Sequence, residues 1–137
     1  MDGVIEIIEK IIKWTRIKCL IHKETPRQVF FGEREIWWAH LGQNVGSEIN
    51  GKNEKFDRPV VIVKKFNKDM MWILPMTTTD KESKYLFPTI CEPGQKQSKI
   101  VLSQIRTISS LRLIKKQRTL PESEFALMKN KLLELLR

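Results

Sequence analysis

Gly46–Val63 reads GSEINGKNEKFDRPVVIV, a polar, glycine-bearing segment that passes through one Arg-Pro step into four consecutive β-branched residues. The run Val60–Val63 predicts a buried β-strand, because β-branched side chains pack well on a pleated sheet. Arg58 therefore lies at the mouth of that strand, and Pro59 fixes the backbone directly after it. The arginine is either a simple strand cap or a side chain aimed at a ligand.

Further strand-like runs flank this segment on both sides. They are Val29–Phe31, Glu35–Leu41, Met70–Met76, Tyr85–Phe87 and Ile100–Leu102. Asn67–Asp69 predicts a tight turn, and Cys91–Ser98 predicts a loop. Because the runs follow one another without helical patterns between them, they predict a mainly β, α+β protein built on a small antiparallel barrel or coiled sheet.

The two ends of the chain predict helices. Residues 2–20 carry apolar side chains at helical spacing, with Asp2 as a candidate N-cap and charges of both signs on the other side. Such a helix binds a membrane surface or a partner, or it packs on its own domain or on a second copy; the mixed charges favour packing. We interpret residues 1–25 as an N-terminal extension and residues 26–137 as the main domain.

The C-terminal segment carries the signature of a helix start. Thr119 and Glu122 have capping-box spacing, and Pro121 suits the first turn. An apolar stripe at helical spacing follows, which is typical of a core or dimer contact. Its members are Phe125, Met128, Leu132, Leu135 and Leu136.

Composition excludes several classes of protein. An apolar fraction of 41% with four tryptophans is that of a folded globular chain. No apolar run approaches the ~20 residues that span a bilayer, and the acidic residues near the N-terminus do not fit a signal peptide, so we expect no membrane insertion and a cytoplasmic location. Cys19 and Cys91 are expected to be buried thiols, since Cys19 and His22 lack a second ligand pair that would complete a zinc site.

The charge of the chain indicates what kind of partner it binds. The net charge is +9 with a pI near 9.7, and no acidic residue occurs between Pro93 and Pro121. A block of one sign attracts polyanions, which include nucleic acid, an acidic protein segment and anionic lipid. The alternative is a solvated basic face that only maintains solubility.

Most familiar catalytic motifs are absent. The sequence contains no phosphate-binding glycine loop, no H-E-x-x-H and no G-x-S-x-G. No carboxylate cluster suited to two-metal chemistry is evident, so we expect no cofactor and no metal, and any action on a phosphodiester is expected to proceed without one. Three polar clusters at strand ends remain, where a sheet holds side chains rigidly but accessibly. They are Arg58-Pro59, Pro75–Thr79 and Ser103–Thr107.

These clusters carry a family resemblance. The order G-S-E, a glycine-bearing loop, R-P-V-V-I-V, P-x-T-T and L-x-Q-I-R-T-I resembles the MazF/PemK family of toxin endoribonucleases. The run I-W-W-A-H-L-G resembles the first strand of that family, and the likeness covers roughly residues 34–137. It implies a small SH3-like, CcdB-like antiparallel barrel with flanking helices, assembled as a homodimer. It also implies metal-independent cleavage of single-stranded RNA at short motifs, and neutralisation by an acidic antitoxin protein.

The resemblance assigns roles residue by residue. The catalytic arginine of the family falls on Arg58, and its catalytic threonine falls on Thr77. The remaining matched positions are expected to contact RNA: Glu48, Thr78, Gln104 and Arg106. The glycine-bearing loop between Gly46 and Asp57 is interpreted as a movable cover over RNA, with Gly46 and Gly51 as its flexible points. Lys52 and Lys55 on this loop are expected to contact RNA.

The sequence also departs from the family pattern. Val101 and Ser103 stand where some relatives carry an arginine and an acid, and His40 replaces a common aspartate. These departures argue against an acid-assisted variant of the mechanism and leave Arg58 and Thr77 as the pair. Because an arginine essentially never deprotonates in proteins, we interpret Arg58 as a charge clamp, with Glu48 and His40 as candidate general bases. The alternative functions are a non-catalytic relative that binds only RNA or antitoxin, and a gyrase-poisoning toxin of the CcdB type.

Overall fold

The computed structural model describes residues 2–23, 28–90 and 94–137. The helices in these ranges are α1 (Asp2–Lys23) and α2 (Glu122–Glu134). The strands are β1 (Glu35–His40), β2 (Asp57–Lys65), β3 (Met70–Thr77), β4 (Leu86–Ile90), β5 (Gln97–Val101), β6 (Arg106–Ser109) and β7 (Leu113–Thr119). All pair antiparallel in one sheet, which confirms the expected mainly β, α+β class.

The sheet curls because a short turn connects two strands from its opposite sides, β6 and β7. Its order is β4-β5-β3-β2-β1-β7, and β6 pairs with the first half of β3. Only the 3-10 turn Ser110–Arg112 separates β6 from β7, although these strands lie on opposite sides of β3-β2-β1. Ile108 and Leu113 from the two edges pack into one buried cluster with Trp37, Val60 and Ile73. This inner face makes the molecule a coiled, open barrel, since no ladder joins β6 to β7 in the described ranges.

The outer face of the sheet is covered by α2. Phe125 and Met128 are buried against sheet residues such as Val61 and Leu74. The predicted apolar stripe is thus confirmed at its start, but Leu136 at its end is 84% exposed. The predicted capping box is wrong: Thr119 is the last residue of β7, and the N-cap of α2 is Pro121, which makes no side-chain cap hydrogen bond.

The predicted N-terminal helix forms, but most of its apolar stripe does not pack on the domain. Val4, Ile8, Ile11 and Ile12 are between 43% and 60% exposed. Trp14 is the residue of α1 that is buried. In the described part of the chain, no helix is both long and apolar enough to cross a bilayer.

Other sequence expectations are corrected. Val29–Phe31 forms no strand; Phe31 instead inserts into the inner cluster while Phe30 stays 79% exposed. β6 and β7 were not predicted, because the mainly polar and basic side chains of β7 hide its alternation. Cys19 is exposed rather than buried, whereas Cys91 and the proposed boundary at residues 25 and 26 lie outside the described residues.

Candidate active site

Arg58 is a buried arginine near the start of β2, only 9% exposed. Its Nε donates to the carbonyl of Asn50 at 2.7 Å, and its Nη1 donates to the carbonyl of Met76 at 3.1 Å. A guanidinium has five N–H donors, so about three remain for a ligand once these two are used. Two main-chain bonds thus fix the orientation of a cation at the start of β2.

Thr77 lies beside Arg58 through the strand register. Val60 of β2 pairs with Pro75 of β3, so the register continued along both strands brings Arg58 opposite Thr77. On the other side of β3, Thr77 pairs directly with Lys99 of β5. Residues directly opposite in an antiparallel ladder project from the same face. Arg58, Thr77 and Lys99 thus form a row across three strands, which we call the cross-strand row.

The loop between β1 and β2 supports this row from one side. Asn50 holds Arg58 through its carbonyl, and its own Oδ1 accepts from the backbone N–H of Asn44 at 2.6 Å. Gly51 donates to the carbonyl of Gly42 at 2.8 Å, and a Cβ on Gly51 would lie 1.8 Å from the Phe56 carbonyl oxygen. Residue 51 has no room for a side chain, and its N–H is tied across the loop. Gly51 therefore belongs to the packed base of the loop, whereas Gly46, the other glycine expected to be flexible, has open space around its Cα. The movable cover stays a prediction.

A cleft of about 550 Å³ opens beside the row. Glu48, Gln104 and Arg106 line it, together with Pro75, two residues before Thr77. Gln104 is already engaged at both ends of its amide: Oε1 accepts from Ile49 N at 2.7 Å, and Nε2 donates to Ser47 O at 3.1 Å. Its contacts hold the loop wall in place, and the RNA contact expected of Gln104 from the sequence stays a prediction.

The remaining predicted RNA-binding residues lie on the surface. Thr78 is exposed directly after β3, and Lys52 and Lys55 are exposed on the turn that precedes β2. Lys52 and Asp57 exchange two backbone hydrogen bonds at 2.7 and 2.9 Å, which close this turn. Neither Arg58 nor Thr77 is among the residues that line the cleft. The structure thus divides the predicted residues into a cleft group, a row beside it and an exposed lysine turn.

Three partly buried guanidiniums give the site its charge. Arg106 and Arg112 each donate through Nη1 to a carbonyl at the end of β1, at 3.0 Å in both cases. Burial lowers the pKa of Arg58, Arg106 and Arg112; the Glu48 carboxylate opposes this effect on the pKa of Arg106, and Arg106 lowers the pKa of Arg112 further. Among the described residues none of the three forms a salt bridge. Since arginines stay protonated in proteins, the three guanidiniums outweigh the Glu48 carboxylate and leave the site with net positive charge.

The two candidate bases differ in position. His40 pairs with Asp57, one step along from the Ala39–Arg58 pair, so its side chain projects from the opposite face of the sheet to Arg58. Its Nδ1 lies 2.7 Å from the carbonyl of Lys55, which fixes the proton on that nitrogen. Glu48 lines the cleft, and its Oε1 accepts from Val45 N at 2.9 Å. Glu48 is the better-placed base of the two.

Sequence reasoning missed two residues that the structure brings to the site. Lys99, only 9% exposed, donates through Nζ to the carbonyl of Lys81. The sequence signal for Lys99 is its position next to the apolar run Ile100–Leu102, since a lysine in a buried strand needs a polar partner. Arg112 was visible only as one member of the basic block. Across the described ranges, no group of three or more His, Cys, Asp or Glu side chains is arranged to hold a metal ion.

Comparison with known proteins identifies one protein family for most of the chain. A model of the PemK-like, MazF-like toxins of type II toxin-antitoxin systems matches residues 33–136. No curated protein matches the chain significantly.

Solved structures share the fold at low sequence identity. A MazF from Deinococcus radiodurans is 18% identical with a TM-score of 0.61, and the match covers 76% of this chain and 94% of that one. The Mycobacterium tuberculosis toxin MazF-mt6 is also 18% identical, with a TM-score of 0.59, and that match covers 75% of this chain and 96% of the toxin. A chain of a MazE-MazF structure from Deinococcus radiodurans matches at 15% identity and a TM-score of 0.57, over 79% of this chain and 97% of that one.

Proposed function

Because the chain belongs to the family of PemK-like, MazF-like toxins of type II toxin-antitoxin systems, we propose that it is an endoribonuclease that cleaves single-stranded RNA at short motifs. The observation that carries the proposal is the cross-strand row. Arg58 is held by two carbonyls beside Thr77, with no carboxylate neutralising it within the described ranges. A fixed, unneutralised guanidinium next to a hydroxyl is suited to a phosphodiester.

The chemistry follows from what the row offers. The 2′-OH of the RNA attacks the adjacent phosphorus, the P–O5′ bond breaks, and the products are a 2′,3′-cyclic phosphate and a 5′-OH. Arg58 stabilises the extra negative charge on the pentacoordinate phosphorus through its remaining N–H groups, and Thr77 donates to a phosphate oxygen. Glu48 is the candidate that accepts the 2′-OH proton, and the 5′ oxygen takes up a proton as it leaves. These steps need no metal, because the cation is part of the chain.

The neighbouring surfaces support a single-stranded substrate. The cleft of about 550 Å³ is lined by Pro75, two residues before Thr77 on β3, so an RNA strand bound in it lies near the cross-strand row. Arg106 in the cleft, with Lys52 and Lys55 on the exposed turn, provides positive charge along the strand. The 2′-OH requirement makes DNA a non-substrate.

The proposal includes two protein partners. An acidic antitoxin is supported by the net charge of +9 and by the unneutralised arginines. Self-association as a homodimer is supported by an apolar groove of about 880 Å³ lined by Phe66, Trp72, Ile105 and Leu133, which are between 43% and 54% exposed. RNA as substrate places the action in the cytoplasm.

Digestion of single-stranded RNA in EDTA, with end-group analysis of the products, tests the function. We expect cyclic phosphate and 5′-OH ends, and no cleavage of DNA or of RNA with 2′-deoxy at the scissile nucleotide. Cleavage that depends on added metal, or that yields 5′-phosphate ends, would contradict the mechanism. Binding of RNA without cleavage would favour a non-catalytic relative, and inhibition of gyrase would favour a toxin of the CcdB type.

A further inference from the structure

The main buried contact of α1 with the domain is made by one aromatic side chain. Trp14 is only 6% exposed, whereas apolar residues before and after it on the helix, such as Ile12 and Leu20, are 48% and 59% exposed. The helix lies outside residues 33–136, which the family model matches. Trp14 is thus the buried side chain of α1, while Ile17 and Ile21 farther along the helix are half-buried. A buried indole with defined neighbours marks a specific contact of the helix with the domain.

The domain provides a fitted socket for this indole. Gly42, at a φ of +85°, lies so close that a Cβ would be 2.2 Å from the Trp14 ring. The Phe56 ring lies 5.8 Å from it, tilted by 53°, and the Arg112 guanidinium lies 5.6 Å from it in a cation–π contact. Glycine at residue 42 therefore permits both the left-handed backbone and the contact with the indole.

Backbone hydrogen bonds connect the residues of the socket to the residue that holds Arg58. The carbonyl of Phe56 accepts from the backbone N–H of Leu41 and Gly42, at 2.8 and 3.1 Å. The carbonyl of Gly42 accepts from Gly51, and the next residue back, Asn50, holds Arg58 through its own carbonyl. The indole thus packs on the two residues whose main-chain groups tie both ends of the loop together.

We propose that Trp14 is a positioning residue: by filling this socket, α1 clamps the loop of residues 42–57 and so fixes the orientation of Arg58. The catalytic part of this inference rests on the proposed ribonuclease activity, whereas the clamp itself does not. The N-terminal helix is accordingly an activating support that the matched family domain does not contain.

Hydrogen exchange on full-length Trp14→Ala tests the clamp without reference to activity. We expect the amides of Gly51, Lys52 and Asp57 to exchange at least about tenfold faster, because the loop opens more often when the socket is empty. The amides in the centres of β2 and β3 are expected to keep their protection. Unchanged exchange in the loop would overturn the proposal.

Cleavage of RNA tests the catalytic consequence. We expect kcat of Trp14→Ala to fall by up to about 10²-fold, since a small displacement of a catalytic group costs that much, with a smaller change in KM. Trp14→Phe should restore most of the rate, and Leu20→Ala, an exposed change on the same helix, should leave it unchanged. Faster cleavage by Trp14→Ala would overturn the proposal, because α1 would then be inhibitory. A wild-type protein that cleaves no RNA would defeat the proposed function, while the exchange result would still decide the clamp.

Discussion

Arg58→Lys separates the charge of this residue from its geometry. The substitution keeps one positive charge at the start of β2 but replaces a planar fork of five donors by an ammonium with three. The two carbonyls that Arg58 satisfies, those of Asn50 and Met76, arrive from different segments at 2.7 and 3.1 Å. A lysine cannot bond both and also present two parallel N–H groups to a phosphate. The variant therefore keeps its electrostatic attraction for RNA but no longer aligns two N–H donors with the scissile phosphate.

The size of the effect follows from the donors that are lost. Removing one preorganised donor from a transition state costs about 10²–10³ in rate, or roughly 2.7–4 kcal/mol. Folding is affected less, because lysine can still satisfy one carbonyl; one unsatisfied buried carbonyl costs about 1–3 kcal/mol. For a chain of this length such a loss lowers the melting temperature by roughly 3–10 °C. Arg58→Lys should thus be folded at 25 °C and nearly inactive.

The measurement is single-turnover cleavage of a labelled RNA oligonucleotide in EDTA, beside circular dichroism and a thermal melt. Arg118→Lys is the matched control: Arg118 also donates through Nη1 to a carbonyl, that of Ile90 at 2.9 Å, but lies on β7 at the other edge of the sheet. Its rate should stay within about twofold of wild type, as is usual for changes remote from a site. A folded Arg58→Lys protein that cleaves within about tenfold of wild type would refute the charge-clamp role of the guanidinium fork.

Three further predictions concern the row and the loop wall. Thr77→Val, which removes only the hydroxyl, should lower kcat by about 10²-fold without lowering the melting temperature appreciably; an unchanged kcat would remove Thr77 from the mechanism. Because Lys99 lies opposite Thr77, we expect it to neutralise one phosphate of the bound RNA. Lys99→Gln should therefore reduce the slope of log Kd against log salt for a non-cleavable RNA by about 0.7, whereas Lys68→Gln in the β2–β3 turn should leave it unchanged. A slope for Lys99→Gln equal to that of wild type would show that Lys99 contacts no phosphate. Gln104→Ala should speed hydrogen exchange at the Ile49 amide, its partner at 2.7 Å, and protection equal to wild type there would show that Gln104 does not hold the loop.

The local part of the fold was predictable because it depends on local pattern. Val60–Val63 and Met70–Met76 lie inside β2 and β3, and both terminal helices form. The prediction failed where long-range packing decides the outcome. Phe31 leaves an extended pattern to fill the inner cluster, and the basic side chains of β7 follow the pairing that β1 offers rather than their own propensity.

In the candidate site, too, residues within local motifs were predictable, whereas those brought in by long-range packing were not. Arg58 and Thr77 were identified from short motifs, but their neighbour Lys99 was not, because only the register of β3 with β5 brings it opposite Thr77. Trp14 is the sharper case. Its helical pattern was read correctly, yet nothing in the spacing of α1 distinguishes the one apolar residue that meets Gly42 from the exposed isoleucines around it.

The loop between β1 and β2 changes how base selection is best understood. A movable cover would select RNA by closing on it, but the wall of the cleft is already tied by Gln104 to Ser47 and Ile49. Gly51 is packed against the Phe56 carbonyl and donates to the carbonyl of Gly42 at 2.8 Å. In the proposed ribonuclease, base selection then depends on a largely preformed cleft, whose shape is set by the Gln104 side chain and by main-chain hydrogen bonds. Substitutions that loosen these contacts should therefore broaden the set of motifs that are cleaved as well as slow the reaction, because a pocket that is no longer fixed discriminates less between bases.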